Sequence, residues 1–280
     1  MIEKRYRPWL YIPLVLWTLF VVFPIYWIIV TSFKTQIAIA SGATYVPWVQ
    51  FKPVLDAWND VLFGLDSVGP YVRNSLIIDL ASTLVAVAFG AMAAYGLTRY
   101  RYRFGFFNNR DVLFWFVSQR MMPPIVAALA FYFILKQLGL LDTWLGMIIV
   151  YVGFNLPLVI WFMNSFFQQI PFALEEAAAI DGANRAQMFS YIVLPLSMPG
   201  LVATFLLVFT FAWNEFLFAV TLTFNKAQTL PVLIAAQQTE KGTAWWTISA
   251  ISLVSIVPMI VFAIVLNKRL VTGLLGGSAR

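Results

Sequence analysis

Asp79, Arg120, Asn155, Asn214 and Glu215 stand within long apolar stretches of this 280-residue chain, and they are the side chains there that could do chemistry. An isolated Arg at the centre of a membrane costs about 2.5 to 3.5 kcal/mol on insertion scales, so Arg120 should face protein or water. A second group, Glu175, Glu176 and Asp181 with Gly182 beside them, lies in a polar stretch between two apolar runs. What is missing bounds the chemistry further. With no Cys and no His the chain has no thiolate nucleophile, disulfide, imidazole base or usual zinc ligand. It contains no G-x-x-x-x-G-K-S/T loop to cradle phosphates, so any ATP is used by a partner. A membrane-embedded enzyme would need a carboxylate or metal site, and only scattered carboxylates are present. A secondary transporter driven by protons or sodium would instead use Asp79 or Glu215 as its coupling charge.

The segments that must position these residues are membrane-spanning. Hydrophobic residues make up 61% of the chain, charged residues 11%, and the mean hydropathy is +0.83, outside the range of a soluble domain. A spanning helix needs roughly 20 mostly apolar residues, and six stretches qualify: about 9–33, 71–98, 111–136, 144–167, 196–222 and 246–267. The first is too long for a signal-peptide core and reads as a retained anchor. The expected fold is all-α, a six-span polytopic membrane protein in which residues 1–280 form one transmembrane domain. Six crossings put both termini on one side.

Positive charge near span ends marks the cytoplasmic side. With the amino terminus inside, the inner segments hold Lys4, Arg5, Arg7, Arg99, Arg101, Arg103, Arg110, Arg185, Lys268, Arg269 and Arg280. The outer ones hold Lys34, Lys52, Arg73, Lys136, Lys226 and Lys241. The excess favours both termini in the cytoplasm. The run Arg99-Tyr100-Arg101-Tyr102-Arg103 interleaves basic and aromatic residues as a nucleic-acid surface can, but between two spans it reads as a positive-inside loop, with no nucleic acid as partner.

The loop at about 165–195 then falls in the cytoplasm. Pro171 suits the first turn of a helix, Leu174 to Ile180 are strong helix formers, and Glu175 and Glu176 favour its dipole. Gly182 allows a turn where a side chain would obstruct. The result is a short helix with small Ala177 and Ala178 on its surface and carboxylates able to meet basic groups at the rim of a groove. The run Glu176-Ala177-Ala178, three residues, Gly182, nine residues, Ile192-Val193-Leu194-Pro195 resembles the signature of binding-protein-dependent ABC importer permeases. Arg120-Met121-Met122-Pro123-Pro124, Asn155-Leu156-Pro157, Trp213-Asn214-Glu215-Phe216, Thr229-Leu230-Pro231 and Lys268 to Leu274 are similar to the maltose-type carbohydrate branch. The resemblance covers essentially the whole chain.

That resemblance implies partners: two ATP-binding cassette ATPase subunits, a second similar permease, an extracytoplasmic substrate-binding protein and a sugar, in a bacterial or archaeal cytoplasmic membrane. ATP and Mg would sit in the ATPases, with no cofactor bound by this chain. It also implies that Glu175, Glu176, Ala177, Ala178, Asp181 and Gly182 couple to the ATPases, and that Gln237, Gln238, Thr239 and Glu240, with Lys241 beside them, meet the binding protein. The tail from Thr272, too rich in Gly to fold alone, would order on the ATPases.

Within the membrane, counting 1.5 Å per residue from Asp111 puts Arg120 roughly 13 Å deep, and a similar count brings Asn155 and Asp79 to mid-depth. Arg120 and Asn155 would line one cavity, with Gln119, Met122 and Tyr151 as further wall. Asp79 could neutralise Arg120. Glu215 would contact substrate or hold an outer gate. Ser82, Ala86, Gly90 and Ala94, one every four residues, allow a neighbouring helix to approach closely. Pro123, Pro124 and Pro157 mark bends.

Overall fold

The computed structural model describes residues 11–65, 67–105, 107–239 and 242–276. In chain order the helices are α1 (Tyr11–Thr31), α2 (Gln36–Ala40), α3 (Asp56–Phe63), α4 (Gly69–Arg99), α5 (Asn109–Gln119), α6 (Pro124–Gln137), α7 (Trp144–Phe167), α8 (Ala173–Ile180), α9 (Arg185–Met188), α10 (Leu194–Leu196), α11 (Met198–Trp213), α12 (Leu217–Leu222), α13 (Leu230–Ala236) and α14 (Trp245–Gly276). A π-helical turn, Phe189–Val193, joins α9 to α10. Among the described residues two antiparallel two-residue ribbons accompany them, β1 (Arg103–Phe104) with β2 (Phe107–Asn108) and β3 (Gln238–Thr239) with β4 (Gly242–Thr243). The chain clusters into one unit of residues 1–70 and 233–257 and another of 71–232 and 258–280.

Among the described residues four helices are long and apolar enough to span a membrane by themselves: α1, α4, α7 and α14 up to Leu266. Two bent pairs bring the number to six if each pair is one span. The third expected span is one of these. It breaks between α5 and α6 at Arg120 to Pro123, with an 86° bend. Pro123 and Pro124 lack the N–H groups that would continue α5, so the steady rise from Asp111 ends just past Arg120, the C-cap of α5. The fifth span is the other. Its helical path starts at Arg185, well before the expected residue 196, turns by 76° beside Ser197, and stops at Asn214 before resuming as α12. Pro157, expected to mark a bend, lies inside the uninterrupted α7.

In the larger unit α4 and α7 approach closely. A Cβ at Gly90 would stand 2.5 Å from Val159 Cγ1, so the small residues Ser82, Ala86, Gly90 and Ala94 serve packing within the chain, all of them buried. One apolar cluster gathers Ile78, Met147, Val150, Phe218 and Leu222. A second gathers Ala86, Val159, Met163, Phe167 and Val208. The smaller unit holds α1, whose apolar side chains face outward, Phe20 being 72% exposed. The stretch after it is tied down: Val54 N–H donates to Phe33 O at 2.9 Å, Tyr26 Oη to Tyr45 O at 2.6 Å, and Trp58 Nε1 to Ser32 Oγ at 3.2 Å. The expected tail from Thr272 continues α14 to Gly276. Lys4, Arg5, Arg7, Glu240, Lys241 and Arg280 lie outside the described residues.

Candidate functional site

The signature at 176–182 has a local physical cause. Helix α8 runs from Ala173 to Ile180 with Glu175 and Glu176 in its first turn, where negative charge complements the helix dipole. Its end is a Schellman cap: Gly182 N–H donates to Ala179 O and Ala183 N–H to Ala178 O. Gly182 adopts φ +86°, a left-handed conformation costly for other residues. Asn184 then opens α9 with a capping box, its side chain accepting from Gln187 N–H while Gln187 Oε1 accepts from Asn184 N–H. Two caps in succession fix a helix–turn–helix.

The adjacent carboxylates part company. Glu176 is exposed, as expected for a rim contact. Glu175 is 3% exposed, which corrects the expectation that both carboxylates stand at a groove's edge. Arg99 Nε donates to Glu175 Oε1 and Tyr95 Oη to Oε2, each at 2.6 Å, while Arg99 Nη2 donates to Ile170 O at 3.0 Å. Tyr95 and Arg99 are four residues apart and share the face of α4 that looks at α8. Around them Tyr95 packs on Phe189 of the π turn, ring centroids 4.9 Å apart, and edge-on to Phe167 at 6.1 Å. The outward side of this stretch is apolar and uncovered. Phe172 is 52% exposed, Leu174 44%, Ile180 87% and Tyr191 77%. Ala177 is exposed and Ala178 half-buried.

Among the residues expected to line a path, Arg120 and Asn155 do meet. Arg120 caps the end of α5, and its Nη1 donates to Phe154 O at 3.1 Å and to Asn155 Oδ1 at 3.4 Å. The guanidinium lies 4.3 Å from the Phe154 ring centroid and 5.4 Å from that of Phe211. A cleft of about 120 Å³ opens beside it, with Gln119, Met122 and Phe131 in its wall. Asn155 Nδ2 donates to Tyr151 O, and Tyr151 Oη to the Glu215 backbone carbonyl at 3.3 Å. Glu215 Oε1 in turn accepts from Phe218 N–H and opens α12. Asn214 is exposed, with Nδ2 on Thr210 O. The expected Asp79–Arg120 pair does not form. Arg99–Glu175 is the ion pair found among the described residues, and Asp79, 1% exposed, has an Oδ1 with no hydrogen-bond partner among them.

At the other end of α4, a cluster that the sequence did not flag ties two loops together. The Asp142 carboxylate accepts from the N–H groups of Phe224, Asn225, Lys226 and Ala227 at 2.9–3.2 Å. Burial raises its pKa, but these backbone donors outweigh burial and hold it below the usual aspartate value. Asn74 Nδ2 bonds Lys226 O and Gln228 O while its Oδ1 accepts from Trp144 Nε1. Of the expected binding-protein contacts, Gln237 closes α13 with Nε2 on Leu233 O at 3.4 Å. Gln238 and the backbone of Thr239 form β3, and Glu240 lies outside the described residues. No group of three His, Cys, Asp or Glu gathers as a metal site among the described residues.

The protein family described as "Binding-protein-dependent transport system inner membrane component" matches residues 86–272. The chain is 36% identical over 262 residues to the trehalose transport system permease protein SugB of Mycobacterium tuberculosis, covering 92% of each. It is 35% identical over 284 residues to the trehalose/maltose transport system permease protein MalG of Thermococcus litoralis, covering 99% of this chain and 98% of the relative. In fold it is similar to a chain of a bacterial ABC transporter involved in the import of the acidic polysaccharide alginate. There the TM-score is 0.72 at 24% identity, over 92% of this chain and 93% of the other.

Proposed function

We infer, for a chain that belongs to the family of binding-protein-dependent transport system inner membrane components, the role of permease subunit in an ABC importer for a sugar or sugar derivative. Relatives named for trehalose and maltose transport support the sugar. The chain pairs with a second, similar permease and receives its substrate from an extracytoplasmic binding protein. Two ATPase subunits hold ATP and Mg. Membership of this family sets aside the ion-driven secondary transporter.

The reading takes residues 1–280 as one permease domain with both termini and α8 in the cytoplasm, supported by the excess of Lys and Arg in those segments. In it α8 is the coupling helix. The observation that carries this is its two-sidedness: Glu175 is bonded from behind by α4, while Glu176, Ala177 and Ile180 are exposed in front. Exposed apolar side chains on a helix outside the apolar spans mark a docking face. ATP-driven closure of the ATPases moves that face. Because Glu175 fastens α8 to Arg99 and Tyr95, the displacement passes into the end of α4, a 31-residue helix about 45 Å long at 1.5 Å per residue. Alternating access follows as α4 and the helices packed on it shift around the path. In that path Arg120, Asn155, Asn214, Glu215 and Asp79 are the polar candidates, and the Gln237–Glu240 loop faces the binding protein.

The test is reconstitution of the whole importer in proteoliposomes with Glu176→Lys. Expected is normal insertion with ATP-driven sugar uptake reduced about tenfold, the loss of roughly 1.4 kcal/mol of docking energy. Unchanged uptake would remove the outer face of α8 from the coupling role.

A further inference from the structure

A cavity of about 650 Å³ opens at the end of α1, within the smaller unit, bounded by Trp27, Thr31, Lys34, Ile39, Ile248 and Ser252. That is the size range of small-molecule sites. Most of its wall is apolar, and one corner is cationic. Lys34 is only 2% exposed. Its Nζ donates to Thr44 O at 2.5 Å and lies 4.4 Å from the Trp27 ring centroid and 5.2 Å from that of Phe51. An ammonium carries three donors, and among the described residues no carboxylate pairs with this one. The Thr31 hydroxyl, buried and lining the same cavity, has no hydrogen-bond partner among the described residues. A buried cation left without an anion is costly, and burial lowers the pKa of this lysine.

We propose that the cavity seats the headgroup of an anionic phospholipid, its phosphate oxygens on Lys34 Nζ and Thr31 Oγ1 and its acyl chains along the outward apolar face of α1. Three observations select this occupant. The ammonium has donors to spare and no carboxylate beside it among the described residues, which favours an anion. The apolar wall formed by Ile39 and Ile248 offers a neutral sugar no hydrogen bonds and would be left bare by a small soluble anion. The position, just past a 21-residue apolar helix whose side chains face outward, is where headgroups lie, with Trp27 and Trp245 as the amphipathic rings suited to that level. Basic pockets between transmembrane helices on the cytoplasmic side recognise phospholipid headgroups, and the same chemistry is offered here at the opposite end of the spans.

Native mass spectrometry of the assembled importer, titrated with phosphatidylglycerol, phosphatidylcholine or inorganic phosphate, tests it. Phosphatidylglycerol should be retained in preference to phosphatidylcholine, and Lys34→Met should weaken its retention about fivefold or more, the worth of one basic residue at a headgroup. Inorganic phosphate should not displace it. Equal retention by Lys34→Met overturns the site. Displacement by inorganic phosphate overturns the lipid as its occupant, as does absence of phosphatidylglycerol from the assembled complex, which would mean that a second permease fills the cavity. Should Lys34→Met fail to assemble, Ser252→Leu narrows the cavity with Lys34 in place and must also lower retention; undiminished binding there overturns the proposal. None of these failures touches the importer reading.

Discussion

Glu175 and Asp79 are buried to a similar degree, 3% and 1% exposed, and α4 meets both. Its last turns supply Arg99 and Tyr95 to Glu175, whose two oxygens each accept a 2.6 Å hydrogen bond from a side chain reaching out of the spanning helix. Twenty residues earlier the same helix carries Asp79, whose Oδ1 accepts nothing among the described residues. Equal burial therefore does not mean equal function. A carboxylate with every oxygen partnered is a fastening, because removing either partner leaves a charge stranded. One with an orphaned oxygen is no fastening, since that oxygen carries its desolvation cost with no bond in return.

The contrast is broken most severely at the fastening. Glu175→Ala strands Arg99, which is 7% exposed in its side chain, and loss of one partner from a buried pair costs about 3–5 kcal/mol. The expected result is a lower melting temperature for the purified importer and loss of uptake. The double variant Glu175→Leu with Arg99→Met, apolar on both sides, should recover most of the stability. A double-mutant cycle on the two positions reads the coupling directly. If Glu175→Ala alone costs less than about 1 kcal/mol, the junction is no fastening.

Much of this junction was readable in advance. The α8 helix, its acidic first turn and the glycine behind it follow from neighbours in the chain, and a Schellman cap needs a left-handed residue at one fixed place. The spans follow from apolar length. What the sequence could not tell was which of Glu175 and Glu176 turns inward. They are about 100° apart around the helix, and the choice is made by Arg99, 76 residues away. The spacing of Tyr95 and Arg99, one helical turn apart, was the available signal, though charge counting alone absorbed Arg99. The angle of the break after Arg120 was hidden for a different reason. Pro123 and Pro124 announce an interruption of the helix, but not the 86° at which α6 leaves α5. Asp142 left no pattern at all, since its partners are backbone N–H groups more than 80 residues on.

Smaller effects are expected where a single backbone feature is at stake. Gly182→Ala meets open space, yet φ +86° costs an L-residue about 1–2 kcal/mol. It should loosen the α8 cap, seen as faster amide hydrogen exchange in residues 178–183, with Arg99–Glu175 intact. Exchange as slow as in the parent chain would show that another feature holds the turn. Asp142 allows a comparable test by pH. Its folded pKa lies below the usual 3.8, so its stabilisation is complete above that value and is lost as pH falls through the depressed one. Exchange in residues 223–229 should rise only in that acid range, and Asp142→Asn should show the rise at neutral pH.

The smallest effect is expected at Asp79, and it is the sharpest test of the comparison. Asparagine keeps the size and shape of the side chain, cannot ionise and offers an N–H₂ donor where an oxygen had no donor facing it. With no ion pair to break, Asp79→Asn should change stability by less than about 1 kcal/mol in either direction, against the several lost at Glu175. Sugar uptake separates the remaining possibilities, because an Asp79 that touches the substrate lowers transport while the melting temperature stays put. A fall in melting temperature matching that of Glu175→Ala would mean that Asp79 is a fastening too, and would end the contrast between the two carboxylates.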